Sequence, residues 1–464
     1  MTHKKELNNL LRIVVVCIAS LVNLLSIYVS FYLKFWTQIP MRNFQAFQAS
    51  YLWILLGFIV IHILFGTYIF YNKTYLDLFY FTFLGQVFMM VFMMALSYAG
   101  AWLTFPRSVI LLNLLVGTGL LYVFNAFSYW LYHRLSGRKR IMILGQKDQV
   151  FEAVVNFSRM TNQRHQVVFV GFEDYYQKVQ DYSDQIDIVY LTGYVEEAER
   201  LRIYEYLMRQ DKKLFLGTQF ANLMMVNPNI MSFEDESIIE LSGFTIPFEQ
   251  AILKRSLDIL VALTSLVLLS PVMLVTALAI HFDSPGPVFY KQERVTKGQK
   301  VFKILKFRSM SQEAEQVSGP VLASSNDQRI TKVGKFIRST RIDELPQMIN
   351  VLKGEMSLVG PRPERPFFVN QFKQQNPYYD LRHQVRAGIT GYAQVYGKYA
   401  TDFNSKLNFD LLYIKNYSLA FDFKLLFQTL KILFDKVSAR GIEEQTLNQL
   451  SWEDFKDQLQ ILED

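Results

Sequence analysis

Asp343 and Glu344 are adjacent carboxylates in Arg338-Ser339-Thr340-Arg341-Ile342-Asp343-Glu344-Leu345-Pro346-Gln347. Pro346 suits a first helical turn, which puts the pair at a helix N-terminus, where the dipole favours anions. An acidic pair there is ordinary capping when it stands alone. Beside Arg338 and Arg341 it becomes a carboxylate–cation–phosphate site. Two further motifs carry cations. Phe302-Lys303-Ile304-Leu305-Lys306-Phe307-Arg308-Ser309-Met310 interleaves Lys303, Lys306 and Arg308 with apolar residues. Gly360-Pro361-Arg362-Pro363-Glu364 is a rigid turn presenting Arg362, whose planar fork can grip a phosphate with two hydrogen bonds. Together these groups suit a phosphate ligand or anionic lipid headgroups. A solvated basic strand is the plain alternative for 302–308.

An unusual apolar segment precedes these motifs. Residues 259–280 are long enough to span a bilayer, but Ser270-Pro271 interrupts their middle. Lys254 and Arg255 lie before the segment, and Lys291, Arg294, Lys297, Lys300, Lys303, Lys306 and Arg308 lie after it. Basic residues mark the cytosolic side, so both ends face one side and the segment must turn back. Pro271 lacks a backbone donor and crowds the preceding turn, which supplies the bend. The reading is a re-entrant helix–break–helix; the alternative is a kinked full span.

Four more apolar stretches, 11–33, 51–70, 78–100 and 109–131, come first. Trp36, Trp53, Trp102 and Trp130 sit near their ends, where amphipathic rings prefer the interface. His3, Lys4 and Lys5 precede the first stretch and Arg12 lies at its start, and Arg134, Arg138, Lys139 and Arg140 follow the fourth. Both flanks then face the cytosol. No stretch has a central Asp, Glu, Lys or Arg, and polar residues are expected to be largely absent inside, so the helices read as an anchor and not a transport path. From Arg140 onward, short strands at 141–144, 167–171, 186–192 and 213–216 alternate with helical stretches, including 196–210. That alternation implies a parallel, Rossmann-like sheet. Its first turn, Gly145-Gln146-Lys147-Asp148-Gln149-Val150, lacks the glycines for close pyrophosphate approach, which favours a regulatory or assembly role.

The 464 residues are 51% hydrophobic and carry a net charge of +7, although 441–464 holds seven acids and one Lys. The body is thus basic, matched to an anionic ligand or membrane face. One cysteine, Cys17, excludes an internal disulfide framework and a cysteine-built zinc site.

The segment from Lys254 to about Lys431 resembles the bacterial sugar transferases, which move a sugar-1-phosphate from a nucleotide diphosphate sugar onto a polyprenyl phosphate. The resemblance rests on Lys254-Arg255 with Asp258, Ser270-Pro271, Lys306-Phe307-Arg308-Ser309-Met310, Asp343-Glu344-Leu345-Pro346-Gln347, Asn350-Val351-Leu352-Lys353-Gly354, Met356-Ser357-Leu358-Val359-Gly360-Pro361-Arg362-Pro363 and Gly388-Ile389-Thr390-Gly391. The whole layout is similar to the large subgroup that starts capsule or exopolysaccharide assembly. It implies three parts: a four-span anchor over 1–135, a Rossmann-like cytosolic domain over 136–247, and a mainly α, monotopic catalytic domain with its re-entrant helix over 248–464.

The resemblance also implies roles. Asp343 would attack the sugar-bearing phosphate of a UDP-sugar, expel UMP and hold the phosphosugar until undecaprenyl phosphate takes it. Glu344 would hold Mg²⁺. Lys306, Arg308, Arg338 and Arg362 would bind phosphate or substrate, Asp422 would be a further polar group at the site, and Ser270 and Pro271 would make the re-entrant turn. Glucose and galactose fit equally as the sugar. Membrane lipids, a homodimer and polysaccharide assembly proteins are the expected partners, nucleic acid is not, and the bacterial cytoplasmic membrane is the expected location, with catalysis on the cytosolic face. Where the family often has Pro before Gly388 and Trp after Gly391, this chain has Ala387 and Tyr392. A non-catalytic membrane scaffold or sensor is the alternative, and it predicts no UMP release.

Overall fold

The computed structural model describes residues 2–36, 38–64, 66–68, 70, 73–100, 104–158, 165–233, 236–310, 329–397, 402–434, 451–455 and 458–462. Trp102 and residues 441–450 of the acidic tail lie outside the described residues. The chain forms two compact units, Met1–Gly217 with Ser451–Asp464, and Thr218–Leu450.

In the first unit the apolar stretches become helices Thr2–Phe35, Met41–Leu64, Tyr75–Ala99 and Arg107–Ser136. Each is long and apolar enough to cross a membrane. The first packs on the second and fourth, and the third on the second and fourth. Phe31 anchors the aromatic core, 5.5 Å from Phe47 and 5.9 Å from Phe105 between ring centroids. Thr74 and Asp77 form a reciprocal capping box that starts the third helix.

The interior is not purely apolar, which corrects the expectation of few polar residues inside the helices. Asn23, Ser26, Gln86 and Asn113 are all buried. The Gln86 amide donates to Asn23 Oδ1 at 3.0 Å, and the Ser26 hydroxyl donates to Asn113 Oδ1 at 2.8 Å. Asn125 donates to the Thr82 hydroxyl at 2.8 Å. Side-chain amides that pair across helices hold neighbours in register where lipid gives no hydrophobic drive. A hydropathy reading passes over these groups because each is uncharged and flanked by apolar residues. A Cβ on Gly117 would lie 3.0 Å from Gln86 Oε1 and 3.2 Å from Ser26 Oγ. Gly117→Leu would therefore push a branched apolar side chain into the polar layer. We expect about 1–3 kcal/mol of destabilisation, read as a lower unfolding temperature of the full chain in detergent; an unchanged temperature would contradict this packing.

The remainder of this unit is a five-stranded parallel sheet in the order Gln460–Leu462, His165–Gly171, Lys139–Gly145, Ile188–Thr192, Lys213–Leu216. Ile143 sits in register with Val170 on one side and Tyr190 on the other. Gly145 has φ of 149°, and a Cβ there would meet the Thr192 carbonyl oxygen at 2.1 Å. The glycine thus serves close packing of the ends of the two central strands. The edge strand Gln460–Leu462 comes from the far end of the chain, whereas the sequence boundaries place it with 248–464.

The second unit begins earlier than the apolar segment. Leu223 and Phe244 bury in one cluster with Leu358, Tyr379 and Tyr413, and Lys415 Nζ donates to the Ser242 carbonyl at 2.7 Å. Residues from Thr218 thus fold with the C-terminal half of the chain, so a cut at 247/248 would remove part of this core. Helix Phe248–Asp283 runs through Ser270-Pro271 without a gap in helical structure. Pro271 leaves the Val267 carbonyl without its usual donor, and Ser270 Oγ donates to it at 2.8 Å. An antiparallel hairpin, Phe289–Val295 with Val301–Phe307, comes next. A short parallel pair, Met356–Val359 with Ala387–Thr390, completes the unit's framework together with helices Lys332–Ser339, Gln347–Lys353, Pro366–Gln375, Phe403–Lys415 and Leu419–Phe434. Helices make up most of this unit, and the hairpin carries the candidate Lys306.

Candidate active site

Lys306 lies half-buried on the second hairpin strand, Val301–Phe307. Phe302, Ile304 and Phe307 are buried, and Phe307 packs with Ile280 and Ile337. Asn350 pins this strand to helix Gln347–Lys353: it accepts from Leu305 N at 2.9 Å and donates to the Lys303 carbonyl at 2.9 Å and to Glu355 at 2.7 Å. Arg255 closes the other end of that helix by donating to the Val351 and Leu352 carbonyls at 2.6 and 2.8 Å. The helix and the strand are thereby fixed on both sides of the acidic pair.

Asp343 and Glu344 occupy the short 3₁₀ turn Ile342–Glu344, which Leu345 joins to Pro346 at the head of helix Gln347–Lys353. Arg341 enters this turn with φ of 58°, a left-handed conformation that costs a non-glycine residue on the order of 1 kcal/mol. It leaves Arg341 Nη1 4.0 Å from Glu344 Oε1. Lys306 Nζ donates to the same oxygen at 2.8 Å. Asp343 is 9% exposed, and its Oδ1 has no hydrogen-bond partner among the described residues. The two carboxyls therefore differ. Burial, and then the neighbouring Glu344 charge, raise Asp343 to about 6, against the pull of Lys306, Arg341 and Arg338. Burial also works against ionised Glu344, but Lys306, Arg362 and Arg341 together bring it down to about 2.

The structure thus brings Lys306, Arg338, Arg341, Asp343, Glu344 and Arg362 into one electrostatic group. Arg308 and Asp422 are engaged elsewhere. Arg308 is 7% exposed and donates to the Pro285 carbonyl at 2.8 Å and the Ser284 carbonyl at 2.6 Å, tying the turn after the long helix to the hairpin. Asp422 accepts from Lys254 at 2.6 Å through one oxygen and from the Tyr413 hydroxyl at 2.7 Å through the other. Tyr413 also reaches the Val359 carbonyl at 3.2 Å, so this buried network underpins the strand leading into the Arg362 turn. Sequence reading missed Asn350 and Arg255 as clamps, because side chains bonded to distant backbone carry no local pattern.

Among the described residues no three His, Cys, Asp or Glu side chains gather as a metal cage. Chemically, the group offers a buried carboxylate with an unbonded oxygen, a second carboxylate held ionised beside it, and cations from a strand, a helix and a turn. Such a set is chemically equipped for nucleophilic attack on phosphorus, with cations placed to offset the spread charge.

An acidic pair ringed by cations, on a unit that carries a membrane-length helix, suits phosphate chemistry at a membrane. The comparisons place it more closely. A family model described as bacterial sugar transferase matches residues 249–436. The chain is 50% identical over 193 residues to the UDP-N-acetylgalactosamine-undecaprenyl-phosphate N-acetylgalactosaminephosphotransferase of Aeromonas hydrophila, covering 41% of this chain and 45% of that protein. It is 46% identical over 184 residues to the UDP-glucose:undecaprenyl-phosphate glucose-1-phosphate transferase of Escherichia coli strain K12, covering 38% and 39%. It is 42% identical over 186 residues to an exopolysaccharide production protein of Rhizobium leguminosarum, covering 38% of this chain and 93% of that protein. The chain belongs to the bacterial sugar transferase family. The match spans less than half the length of the first two relatives.

Proposed function

We propose that this protein transfers a hexose-1-phosphate or N-acetylhexosamine-1-phosphate from a UDP-sugar to undecaprenyl phosphate, the first membrane step of capsule or exopolysaccharide synthesis. The observation that carries the proposal is the division of the acidic pair: among the described residues Asp343 Oδ1 has no hydrogen-bond partner, while Glu344 is fastened to Lys306.

In the first half-reaction a carboxylate oxygen of Asp343 attacks the sugar-bearing phosphorus. A new P–O bond forms to Asp343, the bond to the bridging oxygen breaks, and UMP leaves with that oxygen. In the second, a phosphate oxygen of undecaprenyl phosphate attacks the same phosphorus and Asp343 is released as a carboxylate. Lys306, Arg338 and Arg362 offset the negative charge on the transferred group in both halves. Two steps let one site serve a soluble donor and a lipid acceptor in turn. Mg²⁺ commonly takes one or two carboxylates and completes its shell with phosphate oxygens and water, a donor set that the acidic pair and the substrate diphosphate fit. Glu344 would hold it, and when bound it would neutralise diphosphate charge.

The same reading makes helix Phe248–Asp283 re-entrant, entering and leaving on the cytosolic face of the bacterial cytoplasmic membrane. Ala262 packs with Phe302, Ile304, Val351 and Met356, and Ile280 packs with Phe307. In a straight helix those two residues would be about 27 Å apart, while Phe302 and Phe307 are about 17 Å apart along an extended strand. A bend at Pro271 accommodates both contacts. Leu263, Val267, Leu268, Leu274 and Val275 between them are exposed and apolar, as lipid contact requires. The parallel sheet is read as a Rossmann-like regulatory or assembly module serving a homodimer and polysaccharide assembly proteins.

The test is UMP release by the full chain with UDP-glucose, UDP-galactose and UDP-N-acetylgalactosamine, each with undecaprenyl phosphate and Mg²⁺. Release with at least one donor, dependent on the acceptor for continued turnover, is expected. No release from any UDP-sugar would overturn the proposal in favour of a scaffold.

A further inference from the structure

Arg362 is exposed, so its aim depends on the backbone that carries it. That backbone is held to an unusual degree. Four consecutive carbonyls of the turn each accept a hydrogen bond from a different place. Pro361 accepts from Gly388 N at 2.9 Å, Arg362 from Arg382 Nη2 at 2.9 Å, Pro363 from Arg294 Nη1 at 2.9 Å, and Glu364 from Val295 N at 3.0 Å. Two of the donors are charged guanidinium groups. Pro361 and Pro363 fix φ on either side of Arg362.

Arg382 is 5% exposed and pairs with Asp410, 1% exposed, at 2.7 Å. It also donates to the Tyr379 hydroxyl. Replacing a buried ion pair with apolar residues is often neutral or stabilising, so such a pair is weak evidence for a stabilising role. Here one nitrogen of the pair reaches the carbonyl of the phosphate-facing residue. Arg294 does the same one residue on and approaches Glu364 at 3.7 Å. Neither arginine belongs to the group around Glu344, and both act from elements distant in sequence: the first hairpin strand and the 3₁₀ segment Tyr379–Gln384.

We propose that Arg382 and Arg294 are positioning residues for Arg362: they hold the Gly360–Glu364 backbone so that the Arg362 guanidinium meets the transferred phosphate in one fixed pose. The proposal rests on the transferase reading for its catalytic consequence, but not for its structural one. Displacing a positioned group by about 1 Å can cost about 10²-fold in rate. Arg382→Lys keeps the charge beside Asp410 and loses the fork whose Nη1 donates to the Tyr379 hydroxyl and whose Nη2 donates to the Arg362 carbonyl. Arg294→Lys does the same at the less buried clamp.

The first arm is amide hydrogen exchange of the full chain in detergent. Val295 N and Gly388 N, whose acceptors are turn carbonyls, are expected to exchange about tenfold faster in either variant, in line with easier local opening. Unchanged exchange at both, in both variants, overturns the proposal. The second arm is a double-mutant cycle on UMP release. Each lysine variant is expected to lower kcat/KM about 10–100-fold in the native background and by less than about threefold with Arg362→Ala already present. Equal losses in both backgrounds would mark a general packing role and overturn the proposal. Should Arg382→Lys fail to fold, Arg294→Lys carries both arms. Faster exchange together with a native protein that releases no UMP would sink the transferase reading while leaving the positioning intact.

Discussion

Asp343→Asn is expected to abolish both turnover and the covalent phosphosugar, a loss of about 10⁴-fold or more, because an amide oxygen cannot serve as the nucleophile. The same substitution is expected to make the protein more stable near neutral pH. Burial and the Glu344 charge raise Asp343 to about 6 in the folded chain, above the 3.8 of an ordinary carboxyl. A carboxyl raised on folding favours the folded state at pH below 3.8 and loses that contribution as pH rises through 6. At pH 7.5 the ionised group opposes folding by on the order of 3 kcal/mol, and Asn removes that cost. Thermal unfolding of both proteins at pH 7.5 and 5 checks this. The variant should unfold at the higher temperature at pH 7.5, with the gap narrowing at pH 5. A variant less stable than the native chain at pH 7.5 would contradict the buried, unfavourable carboxylate. Such a cost at an active site is the usual exchange of stability for reactivity.

The second large effect is on pH. The nucleophile must be ionised, so kcat/KM for the UDP-sugar should fall about tenfold per pH unit below about 6, reaching about 100-fold by pH 4. Glu344, held down to about 2 by Lys306, Arg362 and Arg341 against burial, stays ionised over that range and adds no second limb. Lys306→Met removes a cation that lowers both groups. The acidic limb should then move to higher pH, and the rate at pH 7.5 should fall by about 10²-fold as stabilisation of phosphate charge is lost. A limb that stays in place in Lys306→Met would mean that the carboxyl titrating in the profile is not beside Lys306.

Much of this arrangement is legible in the residues alone. The strands of the parallel sheet alternate with helices clearly enough to be placed within a residue or two, because buried parallel strands read as short apolar runs between polar helices. The acidic pair and Lys306 are legible because motif, charge and local pattern agree. Other features are hidden for physical reasons. A basic residue on a strand gives no sign of whether it faces phosphate or a carbonyl, so Arg308 and Lys306 look alike until Arg308 is found bonded to Ser284 and Pro285. Asp422 is a carboxylate in a helix, and only the approach of Lys254, 168 residues away, shows that it is spent in the interior. The edge strand Gln460–Leu462 is three residues long and gains its stability from pairing with His165–Gly171, a contact no local pattern encodes. Arg294 and Arg382 escape a sequence reading as clamps because their acceptors are backbone carbonyls.

The central claim is that Asp343 takes the phosphosugar, and its most direct measurement is to find the adduct. The full chain would be mixed with a UDP-hexose labelled at the sugar-bearing phosphate, without acceptor, then quenched and digested for mass spectrometry. The prediction is a hexose-phosphate on Asp343, one UMP released per protein, and discharge of the label when undecaprenyl phosphate is added. Release of UMP only in the presence of acceptor with no adduct at any time, or a label carried by Glu344, would contradict it.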